Sequence, residues 1–196
     1  EYEELLHPVC REPQEWEVYF EYGFGGKKPR HRPGREITLG KTFTWGKEEW
    51  LVPAMYCCSE GVVLDLLKKV PLEALERFAE KWGLEENGEP RRELPPAEQD
   101  AMEAENPMDE RFRAEVTVNG QPLRESTGYG RYWRSEDGCC DEDADRVLEH
   151  YGLERDCGWA IWRGCCLWNG GKLKPETVEL TMTAEKEAVD GGTFTA

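Results

Sequence analysis

Through much of the chain apolar residues alternate with polar ones, and a period of two marks strands that bury one face. Residues 15–22, EWEVYFEY, set Trp16, Val18, Phe20 and Tyr22 on one side and predict a half-buried strand. Residues 36–45, EITLGKTFTW, carry the Thr and aromatic residues that suit a pleated surface. Residues 49–58 and 61–70 predict two more strands around Ser59-Glu60-Gly61. Pro53 cannot donate to a ladder, so it places the first of these at an edge or a bulge. Alternation returns at 111–118 through Phe112, Ala114, Val116 and Val118, and Asn119-Gly120 behind it is the dipeptide of a two-residue hairpin turn. Residues 158–168 read as a buried strand and 176–184 as an alternating one.

The period changes twice. Leu72, Leu75, Phe78, Ala79 and Trp82 recur at helical spacing, with Pro71 suited to the start and Gly83 to the stop. Ala144, Val147, Leu148 and Tyr151 do the same over 142–151, ended by Gly152. Between these helices, residues 84–110 are acidic and Pro-rich and predict a surface excursion, with a short helix from Ala97 to Glu105. The pattern predicts a mainly β protein: an antiparallel sandwich-like core of about eight strands, a helical excursion over 71–105 and one further short helix. An α+β arrangement with both helices on one sheet is the alternative. The chain reads as one globular domain over 1–196. Its tail, a Gly191-Gly192 turn leading into Thr193-Phe194-Thr195, is expected where the N-terminal part of a longer protein runs on.

Composition adjusts this picture modestly. Only 38% of the residues are hydrophobic, but eight Trp, seven Tyr and six Phe bury large areas each. The formal net charge of −16 counts against nucleic acid and anionic membrane as partners and leaves basic or neutral ones open. No apolar run has the length of a membrane span. Six of the eight Cys form adjacent pairs, at 57/58, 139/140 and 165/166. Adjacent cysteines seldom bond to each other, and a chain this long needs no staples. Reduced, buried thiols and a cytoplasmic location follow.

Candidate chemistry is sparse. There is no C-x-x-C, and neighbours on a strand point to opposite faces, so a thiolate metal site would draw one ligand from each pair. The set would be Cys57 or Cys58 with Cys139, Cys157 and Cys165 or Cys166, and ordinary buried thiols are the plainer reading. Asp141, Asp143 and Asp145 have the opening spacing of an EF-hand loop, but Arg146 and Gly152 stand where Gly and a bidentate Glu are needed. A helix cap with acidic neighbours accounts for them. Ser59 lies outside any G-x-S-x-G, and His7, His31 and His150 have no partner nearby in sequence. No catalytic residue, metal ligand or cofactor is assigned.

Two segments stand out as binding candidates. Lys27, Lys28, Arg30, Arg32 and Arg35 form a basic, Gly-punctuated loop in an acidic chain, suited to a phosphate, a carboxylate or the acidic face of a protein. It lacks the order of a P-loop. Tyr129, Tyr132 and Trp133, in TGYGRYW, are candidates for stacking on a sugar.

The segments WLVPAMYCCSEGVVLD (Trp50 to Asp65), VTVNGQPL (Val116 to Leu123) and LEHYGL (Leu148 to Leu153) together resemble an uncharacterised family of bacterial proteins. The resemblance covers most of the chain, implies a sequence continuing past Phe194, and supplies no activity, cofactor or catalytic residue. The resulting expectation is a non-enzymatic interaction or ligand-binding module, with a protein or a small anionic ligand as partner. A carbohydrate-binding or carbohydrate-active β protein is the first alternative and a thiol-based metal-binding protein the second.

Overall fold

Short connections between β-rich segments dictate antiparallel neighbours, and the first described strands form two hairpins of this kind: β1 (Arg35–Trp45), β2 (Glu48–Cys57) and β3 (Gly61–Val70). The computed structural model describes residues 15–25, 28–85, 88–109, 111–134 and 141–185. After β3 come helices α1 (Leu72–Trp82) and α2 (Pro96–Glu105), then β4 (Phe112–Val118), β5 (Gln121–Pro122), β6 (Arg124–Trp133), α3 (Glu142–Tyr151), β7 (Gly158–Leu167) and β8 (Val178–Ala184). The described residues build a five-stranded sheet, β1-β2-β3-β7-β6, and a three-stranded sheet, β5-β4-β8, with every pairing antiparallel. The protein is thus mainly β and sandwich-like.

The five-stranded sheet has two covered faces. Val62, Leu64 and Leu66 of β3 point to the three-stranded sheet and join Trp50, Val116 and Val118 in the larger core. Val63 and Leu67 point the other way, toward α3 and an N-terminal strap, residues 15–25. Helix α3 contributes Ala144, Val147 and Leu148 to that layer, and about 1.5–3 kcal/mol attends each large side chain so buried. By contrast α1 and α2 hold no fully buried residue. They lean on each other, where Lys81 and the Trp82 indole both reach Glu105.

Several expectations are met at residue level. Asp141 caps α3 by accepting from the Asp143 and Ala144 amides at 3.1 Å each, and Gly152 closes the helix in the left-handed conformation. Asn119 and Gly120, both at positive φ, form the two-residue turn that pairs Val118 with Gln121. Pro53 falls at a bulge in an internal strand. The β1–β2 register slips between Thr38 and Lys41, and the β2–β3 register slips between Leu51 and Met55. That extra residue reverses the alternation of β2. Trp50 and Val52 face the sandwich before it and Met55 and Cys57 after it, so Tyr56 turns toward the strap and α3.

Two segments correct the sequence reading. Residues 15–22 belong to no ladder, and the chain turns at Phe20-Glu21, with Glu21 at positive φ. Val18 and Phe20 are buried because the strap lies across a face of the sheet; one backbone bond, from the Gly34 amide to the Val18 carbonyl at 2.7 Å, ties it to the chain that follows. Conversely, RESTGYGRYW, not counted among the strands, is the edge strand β6. Its glycines hid it. A side chain at Gly128 would sit 2.8 Å from Nε1 of Trp162, and one at Gly164 would overlap the same indole. The two glycines make the bed on which Trp162 lies, a use that propensity does not register.

Candidate functional site

Asp65 of β3 and Arg163 of β7 stand directly opposite in the ladder and on the strap side of the sheet. Both are sealed, at 0% and 2% exposure. The guanidinium clamps the carboxylate bidentately, Nε to Oδ1 and Nη2 to Oδ2, each at 2.7 Å. Its remaining nitrogen, Nη1, donates to the Gly23 carbonyl at 2.8 Å, and its plane is covered by the rings of Phe24 at 4.4 Å and Trp16 at 5.5 Å. A directed chain of hydrogen bonds leads away from the carboxylate. Tyr151 donates to Asp65 Oδ2 at 2.5 Å; Tyr56, 2.6 Å from Tyr151, therefore donates to the Tyr151 oxygen; and the Trp16 indole donates to Tyr56 at 2.9 Å.

Electrostatics keep this assembly in one protonation pattern. Burial pulls Arg163 down, but the adjoining Asp65 carboxylate outweighs it and holds the guanidinium charged. Burial, then the Asp65 charge, push the Tyr56 and Tyr151 phenols well above their ordinary range. The result is a satisfied internal tie among β2, β3, β7, α3 and the strap. Its acid is shut off from solvent, and its two phenols hold their protons near neutral pH.

The thiols do not converge. Cys57 and Cys166 flank Val62 on the sandwich face, and Cys58 and Cys165 lie on the strap face, as alternation requires. These four and Cys157 are free and buried. Burial raises the Cys58 and Cys166 thiols to about 12 and the Cys157 thiol to about 11, which leaves little thiolate for metal or redox chemistry at neutral pH. Cys10, Cys139 and Cys140 fall outside the described residues. Among those described, Glu154, Asp156 and Cys157 are the group close enough to share a cation, and Lys69 already pairs with Glu154.

The segments singled out in the sequence are dispersed. Lys27 lies outside the described residues. Lys28 pairs with Glu17, whose carboxyl it lowers, while Arg30, Arg32 and Arg35 are exposed, Arg35 as the first residue of β1, opposite Cys57. The inner side of the same loop supplies Gly23 and Phe24 to Arg163. Tyr129 and Trp133 share a face of β6, Tyr129 against Gly23 and Trp133 buried under Arg155, whereas Tyr132 points to the other face and is exposed. They form no common platform. Asp141 and Asp143 face Arg131, and Asp145 pairs with Arg155.

The feature missed in the sequence is an opening. Where β1 and β8, each the last strand of its sheet, face one another, the sandwich parts into a cleft of about 470 Å³. Ile37, Leu39 and Phe43 form one wall and Val178, Leu180 and Met182 the other, with Lys41 and Glu176 as its charged lining. All six apolar residues are half-buried, and in sequence they read as ordinary core positions. A polar cleft of about 780 Å³ opens elsewhere on the sandwich, beside Arg113, Glu115, Arg124 and Glu125, with Trp168 at its base. The Trp168 indole is already committed to the Cys58 carbonyl at 3.2 Å.

In comparison with known proteins, no family model matches the chain, and no curated protein or solved structure matches it.

Proposed function

We propose that the protein is a non-enzymatic binding module that takes the apolar body of a small ligand into the cleft between β1 and β8. The observation that carries this reading is the pairing of two strand edges, each without a ladder partner among the described residues, with two facing apolar walls. The volume falls in the range of small-molecule sites, and such sites are mostly apolar with a few polar groups to orient the ligand. Lys41 and Glu176 supply those groups. The polar constellation that most resembles an active site is sealed and internally bonded, which favours a structural role for it.

The reading is tested by titrating the protein with N-phenyl-1-naphthylamine, a neutral apolar fluorophore, and following its emission. Saturable one-to-one binding is expected, weakened about tenfold or more by Leu180→Arg and by Ile37→Arg, which put a charge on either wall. Circular dichroism checks that both variants fold. Binding that is absent, or unchanged in both folded variants, removes the cleft from the account. We place the protein in the cytoplasm; the five free, buried thiols support a reducing compartment, and among the described residues no helix is long and apolar enough to cross a membrane.

A further inference from the structure

We propose that the ligand of the β1–β8 cleft is an apolar monocarboxylate and that Lys41 selects its charge, an inference that rests on the cleft reading above. Cross-strand partners share a face of a sheet. Lys41 is paired with Val52, while Ile37 and Phe43 on either side of it are paired with Met55 and Trp50. Val52, Met55 and Trp50 all belong to the sandwich core. Lys41 therefore stands on the sandwich side of β1, in the same row as the apolar residues of the wall. It is exposed, so its ammonium keeps its charge and its water, while its methylene stem can lie along that wall.

This cation is unmatched. Lys28, Lys68, Lys69 and Lys81 each have an acid in contact, whereas Lys41 forms no ion pair among the described residues. Glu176, the other charge of the lining, is set apart along the cleft. The Trp45 ring lies edge-on to Phe112 at 6.3 Å, and Phe112 is paired with Ala184, so the Trp45 end of β1 meets the Ala184 end of β8. Glu176 precedes β8 and belongs to the opposite, Ile37 end, with Lys41 midway along β1. A carboxylate on Lys41 leaves the body of its ligand on Phe43, Trp45 and Met182, an apolar and partly aromatic half of the cleft. A second anionic group, reaching the other way, would meet Glu176. The two charges thus favour one negative head group and count against two.

The net charge of −16 works against any anion, so a preference for a carboxylate has to come from a local cation. Competitors that share a tail and differ in the head isolate that term: dodecanoate, dodecanol and dodecylammonium, each titrated at neutral pH against protein-bound N-phenyl-1-naphthylamine. Dodecanoate is expected to displace the fluorophore at a concentration about fivefold lower than dodecanol, the effect of one exposed ion pair. Lys41→Gln should bring the two level, and Lys41→Arg should keep them apart. A wild type that does not separate them, a gap that survives in Lys41→Gln, or dodecylammonium as the tightest of the three overturns the proposal and leaves the cleft reading standing. Failure of the fluorophore itself to bind removes both. A lysine that served only to keep another strand off the β1 edge would give a Lys41→Gln protein that self-associates on size exclusion with its head-group preference unchanged, and that result too overturns the proposal.

Discussion

The two faces of β3 and β7 lie one residue apart in sequence and solve burial in opposite ways. On the sandwich side Val62, Leu64 and Leu66 pack into an apolar cluster, and the buried charge of that face, Lys68, sits near the end of β3, where it donates to the Asp109 carbonyl at 2.6 Å and pairs with Glu48. On the strap side Val63, Asp65 and Leu67 surround an ionic pair whose every hydrogen bond has a named partner. The apolar face tolerates an open margin, and there the cleft between β1 and β8 lies. The ionic face does not, because a buried charge without partners costs several kcal/mol, and so the chain spends a ladder-free segment on closing it. The margin of the forgiving face is open, and the exacting face is covered.

Breaking the exacting face is expected to have the largest effect. Arg163→Met strands a buried carboxylate and should destabilise by about 3–5 kcal/mol, read from the urea midpoint at constant m value. The double variant Asp65→Leu with Arg163→Met separates the two costs, since it removes the buried ion pair from the strap face altogether. It should recover most of that loss, and failure to recover it would show that the strap requires the Gly23 carbonyl contact rather than the absence of a bare charge. On the sandwich face, Gly164→Ala drives a methyl into the Trp162 indole and should cost about 2 kcal/mol in the same assay. An effect near zero would mean that the indole moves freely and the packing there is loose. Tyr151→Phe is expected to cost least, about 1 kcal/mol, because Asp65 keeps Arg163 and Tyr56 keeps the Trp16 indole as partners. A loss above that of Arg163→Met would make the hydrogen-bond chain, and not the ion pair, the centre of the network.

Much of the architecture was legible in the residues, and the candidate site was not. The run 61–70 and the helical stripe of 142–151 match β3 and α3 because periodicity records which side of an element meets water. Asp65 and Arg163 carried a signal of a kind: the one acid of β3 and the one charge of β7, in strands that are almost entirely buried. Such charges call for a partner, but they do not say which. The cleft carried no signal, since Ile37 and Leu180 alternate with polar neighbours just as fully buried strand residues do.

Local chemistry determined what needs only neighbours: strand and helix spans, the Asn119-Gly120 turn, the Asp141 cap, and the divergence of adjacent cysteines. Tertiary structure alone decided what depends on residues far apart in the chain. The strap became a cover because Arg163, 140 positions from Gly23, needed its carbonyl. Segment 124–133 became a strand because Trp162 needed Gly128 beneath it. The cleft opened because β1 and β8 were left at facing ends of two sheets. A period reports that a side chain is turned away from water; what it meets there is set by long-range pairing, which leaves no mark on the local pattern.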